Sequence, residues 1–174
     1  AGLQDDQILA VEERLHLYHP RYIFSHGLRD LVDWPPGSFT EGGQGERDNH
    51  EMRPINTVVN AFHGRALVLM SRIAHVLGRA GDQSRFAERA ERVKATINRL
   101  LFDRERGVYV DGEGSEHASL HSNMYMLAFD LVPENRQESV VAWLKSRGMA
   151  CSVYGAQFLL EALYRAGEGQ YALE

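Results

Sequence analysis

The chain has 174 residues, 44 % of them hydrophobic, and a formal charge of −5 from 24 acidic and 19 basic side chains. That is one domain's worth of globular composition, and its scattered, net acidic charge argues against nucleic acid or an anionic membrane surface as the main partner. The single cysteine, Cys151, excludes an internal disulfide framework, and no apolar run approaches the ~18 residues of a membrane span.

In chain order, Asp5 to Tyr18 is predicted to be a helix on the strength of Ile8, Leu9, Leu15 and Leu17, ended by Pro20. A short apolar piece, Tyr22 to Val32, leads to a corner at Asp33-Trp34-Pro35-Pro36. Pro35 to Arg53 has neither helical nor strand periodicity. The next helix places Val59, Phe62, Ala66, Met70, Ile73 and Leu77 at spacings of three and four, and Gly78 closes it. Asp82 then caps a helix whose buried stripe is Phe86, Ala90, Val93, Ile97 and either Leu100 or Leu101.

Asp103-Arg104-Glu105-Arg106-Gly107 is turn chemistry, and Val108-Tyr109-Val110 suits one small strand or an extended link. Ser115 is placed to cap a helix through Asp130. Pro133-Glu134 opens another that Gly148 ends, and the last runs from about Ser152 to Ala166, closed by Gly167. Val153, Tyr154, Ala156, Phe158, Leu159, Leu160, Ala162 and Leu163 leave that last helix almost no polar face, which predicts a place in an inner layer. The resulting fold class is all-α, built of paired antiparallel helices with amphipathic outer and apolar inner members. A closed ring of hairpins produces this alternation, and so does a superhelical array, although no fixed-period repeat is present.

The loop from Pro35 to Arg53 is the natural place for a site, because long loops on rigid scaffolds carry much of protein function. It holds Glu41, Glu46, Asp48, Asn49, His50, Glu51 and Arg53. At its mouth, Trp34 beside Asp33 suits a sugar, whose apolar face stacks on an indole while its hydroxyls bond a carboxylate. The competing reading has Trp34 plugging the core and Asp33 capping the proline turn.

An ordered set of short motifs resembles the catalytic domain of the bacterial alpha-L-rhamnosidases, which are six-hairpin glycosidases. Its elements are Asp33-Trp34-Pro35, Asn56-Thr57-Val58-Val59-Asn60-Ala61-Phe62, Gly107-Val108-Tyr109-Val110-Asp111, Ser115-Glu116-His117-Ala118, Leu131-Val132-Pro133, and Tyr154-Gly155-Ala156-Gln157-Phe158-Leu159-Leu160-Glu161-Ala162-Leu163-Tyr164. The resemblance implies an (α/α)6 toroid, of which this chain would supply about half, and cleavage of terminal alpha-L-rhamnose with inversion. It implies no cofactor and a soluble carbohydrate-processing hydrolase, in the cytoplasm, the periplasm or outside the cell. Asp33 and Trp34 match positions that line the family's sugar site.

The family's general acid lies in an Asp-, Arg-, Gly- and Trp-rich segment upstream of the Asp-Trp motif, and its general base in a threonine-rich loop downstream. Neither segment occurs between Ala1 and Glu174. The chain is therefore expected to be truncated at both ends, inactive alone, and able to self-associate through exposed inner-helix surface. Alternatives are a non-catalytic helical module that binds carbohydrate or protein, and a six-hairpin glycosidase of other sugar specificity.

Inverting glycosidases need a protonated and an ionised carboxyl about 6.5–9.5 Å apart. Glu46 is the candidate the loop offers, alongside Glu41, Asp48 and Glu51. Glu161 would be costly to bury unpaired and is expected to bond a neighbouring helix. His117 and His121 lie four apart, as zinc ligands do on a helix, but lack the intervening glutamate and a third ligand, so a structural role is favoured and no metal is expected. Gly42, Gly43 and Gly45 lack the strand and Lys-Ser/Thr of a phosphate loop.

Overall fold

The structure is a computed structural model that describes Val32, Asp33 and residues 48–174. The predicted helix from Asp5 to Tyr18, together with Trp34, Glu41, Glu46 and the glycines of the loop, lies outside the described residues. The elements are α1 (Thr57–Val76), α2 (Ala80–Leu100), β1 (Phe102–Asp103), β2 (Val108–Tyr109), α3 (Leu120–Ala128), α4 (Glu134–Arg147), α5 (Val153–Arg165) and α6 (Gly169–Leu173). The described part is thus all-α apart from one small antiparallel hairpin, in which Phe102 pairs with Tyr109 and Asp103 with Val108.

Short connections force each helix to fold back on the one before it. α1 packs on α2, α3 on α4 and α5 on α6, while α3 also touches both α1 and α5. The result is an inner row of α1, α3 and α5 backed by an outer row of α2, α4 and α6.

The ends of the helices follow local chemistry. Asn56, Ser119 and Ser152 cap α1, α3 and α5 by accepting amide hydrogens of the first turn. Gly78, Gly148 and Gly167 take positive φ where three helices end, a region open to glycine. α2 starts at Ala80, ahead of the cap predicted at Asp82. Asp82 sits in its first turn instead, paired with Arg79 and Arg85.

Three sequence expectations change. The helix predicted from Ser115 begins only at Leu120, because Asp111 to Ser119 is occupied in crossing the start of α1. Thr57 N donates to Asp111 O at 2.9 Å, Glu113 N to Ile55 O at 3.0 Å and Asp111 N to His117 O at 2.9 Å.

The second change concerns α1. It buries Val58, Ala61, Gly64, Leu67 and Ala74, while the larger apolar stripe turns outward in the second half of the helix, ending at Val76 and Leu77, 83 % and 65 % exposed. Small residues bring the helices close: a Cβ on Gly64 would touch Val93 and Leu131 at 3.4 and 3.5 Å.

The third is the identity of the enclosed helix. α5 does stand in the inner row, but it buries one side only, through Gly155, Leu159, Ala162 and Leu163, with Val153 93 % exposed. The helix enclosed on all sides is α3, in which all nine residues are buried, including His121, Ser122 and Asn123. Its polar groups are met internally with one exception, His121 Nδ1, for which the described residues supply no hydrogen bond. Asn123 accepts from Tyr109 N at 2.9 Å and donates to Tyr109 O and Ser119 O, both at 3.0 Å. Below it, Tyr125 and Phe129 join Phe62 and Phe158 in an aromatic cluster, with Phe62 centroids 4.8 and 4.9 Å from those of Tyr125 and Phe129.

Where the crossing segment meets α1 there is no room for a side chain. A Cβ on Gly112 would lie 2.3 Å from Ile55 O and 2.6 Å from Arg53 Cβ. Gly112→Ala is therefore expected to destabilise the fold by about 1–3 kcal/mol through overpacking against backbone. A urea midpoint equal to that of the unmutated chain would contradict this close approach.

Candidate functional site

The caps of the three inner helices lie at one end of the described fold, tied together by three buried carboxylates. Asp111 is the most heavily bonded. Its Oδ1 accepts from Ser119 N at 2.8 Å and Ser122 Oγ at 2.7 Å, with His50 Nδ1 at 3.2 Å. Its Oδ2 accepts from Glu51 N at 2.9 Å and His117 Nδ1 at 2.7 Å. Burial alone would raise the Asp111 pKa. The bonds from His50, Glu51 and Ser119 outweigh it and hold the carboxyl well below the usual carboxylate range.

Asp48 and Asp33 complete the set. Asp48 Oδ2 accepts from Leu120 N at 2.6 Å and Arg147 Nε at 3.0 Å, and its Oδ1 takes Arg147 Nη2. That bond raises the pKa of the Arg147 guanidinium. Asp33 Oδ2 accepts from Ser152 N at 2.9 Å and pairs with His121 Nε2 at 2.8 Å, while Ser152 Oγ bonds Oδ1. A Cβ on Gly155 would sit 2.7 Å from Asp33 Oδ2, so only glycine lets α5 approach this carboxylate. Each of the three anions thus meets the first amides of an inner helix, where the helix dipole favours negative charge.

One histidine has its hydrogen placed by the cap of α1. Asn56 Oδ1 accepts from Val59 N at 3.2 Å, so Asn56 Nδ2 is the atom 3.0 Å from His50 Nε2 and donates to it. The ring hydrogen then resides on Nδ1, facing Ser119 Oγ at 2.8 Å and Asp111. Serine and carboxylate share one nitrogen, so this is not the relay of a nucleophilic triad, in which they occupy opposite nitrogens.

The sequence candidates are distributed as follows. Asp33 is fully buried, its carboxylate turned toward His121 and Ser152. Asp48, one of the loop carboxyls considered for acid–base work, is buried as the anchor of α3. Glu51 is half-exposed and held by Arg53 Nη2 at 2.6 Å and Ser115 Oγ at 2.8 Å, contacts that lower its pKa. His117 and His121 do not share a helix face, because His117 precedes α3. Each bonds a different carboxylate. Glu161 pairs with Arg165 of its own helix rather than across helices. Cys151 is a buried thiol pushed up to about 12 by its surroundings and then by the Asp33 charge, which leaves it inert as a nucleophile.

Sequence reasoning missed Asp111 and His50 as a hub. The available signal was an Asp-Gly step directly after a short apolar strand, followed by Ser115, His117, Ser119 and His121 at alternate positions.

Side-by-side helical hairpins, with the inner caps gathered at one polar end, define a repeating inner–outer hairpin domain. The chain belongs to the bacterial alpha-L-rhamnosidase six-hairpin glycosidase family: the sequence model described as the bacterial alpha-L-rhamnosidase 6 hairpin glycosidase domain matches residues 18–174. Its fold is similar to that of a solved structure, a GH78 family rhamnosidase of Bacillus sp. GL1, with a TM-score of 0.65 and 24 % sequence identity. The match covers 74 % of this chain and 15 % of that one, so the chain spans only a small part of the solved protein's length. No curated protein sequence matches the chain.

Asp111 has a stability consequence with a definite sign. A carboxyl whose folded pKa is depressed contributes stability that is fully present above the unfolded value near ~3.9 and lost as pH falls toward the folded value. Asp111→Asn is expected to lower stability at neutral pH by about 3–5 kcal/mol, since it leaves buried donors facing an amide. The gap to the unmutated chain should narrow as pH drops below about 4. Urea unfolding at pH 7 and pH 3 checks both, and a gap that widens in acid would refute the assignment.

Proposed function

We propose that this chain is part of an inverting alpha-L-rhamnosidase and supplies a portion of its sugar-binding surface rather than its acid–base pair. The observation that carries this reading is the family match over residues 18–174. Trp34 is the stacking platform for the sugar ring. Asp33 stands next to it in sequence, and its carboxylate is engaged inside the fold, so its contribution is to tie α3 to the start of α5 as well as to supply polarity near the sugar. Glu46 is the loop carboxylate whose substitution tests whether the chain carries any chemistry of its own.

A second reading, a non-catalytic carbohydrate-binding module, draws support from a specific observation. The three buried carboxylates at the cap end, Asp33, Asp48 and Asp111, are all occupied by internal donors, which leaves none of them placed as general acid or base. Both readings predict the same behaviour of the isolated chain, and turnover would contradict both. The 174-residue chain is expected to bind L-rhamnose and to show no turnover of an aryl alpha-L-rhamnoside, since lost general acid–base assistance alone costs about 10²–10⁴-fold. Trp34→Ala should weaken binding by about 1–2 kcal/mol of stacking with the melting temperature nearly unchanged. Turnover abolished by Glu46→Gln would make the loop glutamate a catalyst. A stability loss of about 3–5 kcal/mol in Trp34→Ala would make the indole a core plug instead.

The outward stripe of α1 supports self-association of the isolated chain. Ala66, Leu69, Met70, Ile73, Val76 and Leu77 are all exposed, and contiguous apolar surface of this kind commonly marks a contact face. Light scattering should show a mass that rises with concentration. Met70→Glu with Ile73→Glu should return it to that of a monomer.

A further inference from the structure

At the cap end, two partly exposed side chains are each held through one polar atom and keep a second for which the described residues offer no partner. His117 donates through Nδ1 to Asp111 Oδ2 at 2.7 Å, and its side chain is 30 % exposed. Glu51 gives its amide to the same oxygen at 2.9 Å, and its side chain is 42 % exposed. Two residues bonded to one oxygen are necessarily neighbours. Ser115 joins them again, its Oγ donating to Glu51 Oε2 at 2.8 Å and accepting from His117 N at 3.1 Å.

The inner atoms of both side chains are spoken for. Glu51 Oε2 takes Arg53 Nε at 3.2 Å, Arg53 Nη2 at 2.6 Å and Ser115 Oγ. With Nδ1 committed to the Asp111 carboxylate, His117 keeps Nε2 as its second polar atom. Among the described residues, Glu51 Oε1 and His117 Nε2 are left without a partner, on two side chains that share Asp111 Oδ2 and Ser115 and are preorganised by bonds to the buried hub. Ordering such side chains in advance lowers the cost of binding. A carboxylate oxygen and an imidazole nitrogen on neighbouring residues suit a ligand that brings vicinal hydroxyls, as the diol of a sugar does, because a hydroxyl donates to the oxygen and either donates to or accepts from the nitrogen. Divalent metal is the poorer match, because the described residues contain no cluster of three or more potential ligands.

The geometry points to Glu51 and His117 as a diol-binding pair for the sugar, with Asp111 and Ser115 as the residues that position it. This rests on the rhamnoside reading above and adds which side chains of this chain grip the hydroxyls. Two substitutions isolate these two atoms. In His117→Asn the amide nitrogen replaces Nδ1 and keeps the bond to Asp111, while Nε2 is lost. In Glu51→Gln the amide oxygen stays with the Arg53 and Ser115 donors, so the unpartnered acceptor becomes an NH2 donor.

The test is titration of the 174-residue chain with L-rhamnose, read on the ring-nitrogen resonances of His117, with L-fucose and D-mannose as parallel probes. The expected result is a saturable shift of His117 Nε2 with rhamnose and a loss of affinity of about tenfold in each variant, their thermal midpoints staying close to that of the unmutated chain. Rhamnose binding of undiminished affinity in both variants, with His117 unmoved, would overturn the pair and leave the rhamnoside reading standing. Binding of fucose or mannose but not rhamnose, lost in both variants, would uphold the pair and overturn the rhamnoside reading. No binding of any of the three sugars would overturn both.

Discussion

The described fold depends on a single buried anion. Asp111 reaches the amide that caps α3, a hydroxyl within α3, the amide that precedes the entry into α1, and two imidazoles. A lone carboxylate in such a place would cost several kcal/mol in desolvation. Here every lone pair faces a donor, and the folded state holds the group ionised. The backbone of the same residue is committed too, with its carbonyl on Thr57 N and its amide on His117 O. One residue thereby joins the starts of two inner helices and the segment that crosses between them. Gly112 follows because a strand pressed this closely to Ile55 has no space for a Cβ.

The same logic recurs at Asp48 and Asp33. Each is a carboxylate that meets the first amides of an inner helix and also a cationic or imidazole partner. Parallel inner helices bring their positive ends together, and negative charge gathered there offsets the dipoles. These anions are consumed by structure, which explains why a cap end rich in carboxylates has so few of them left to act outward. What stays outward is the second rank, His117 and Glu51, oriented by the first. In this fold the buried layer fixes position and the half-exposed layer keeps polar side chains at the surface. The same buried layer takes up the polar stretch of α3, His121 to Asn123, in a helix that is otherwise apolar and fully enclosed.

Alternation of inner and outer helices also explains where apolar surface remains. α3 has neighbours on both flanks and buries everything, including side chains that would ordinarily face water. α1 and α5 each have one inner neighbour among the described helices, and each leaves apolar side chains exposed on its far side. Burial is therefore a property of position in the row more than of composition.

Much of the architecture was legible in the residues alone. The Ser152 start, the Pro133 start and the glycines that end helices are local signals that survive into the fold. The caps expected at Ser115 and Asp82 instead gave way to the crossing segment and to an earlier helix start. The order of short motifs likewise placed the chain in its family. What the residues could not show was which apolar face of α1 turns inward, or that α3 rather than α5 is enclosed. Both depend on which helices stand on either side, and hydrophobic period is blind to that. Nor could spacing show that Asp33, Asp48 and Asp111 share one end, since their partners lie as far as 119 residues away along the chain. A carboxylate on a polar loop and a carboxylate locking a helix N-terminus read alike in sequence. Only the packing of helices, which brings amides and imidazoles to the carboxylate, tells them apart.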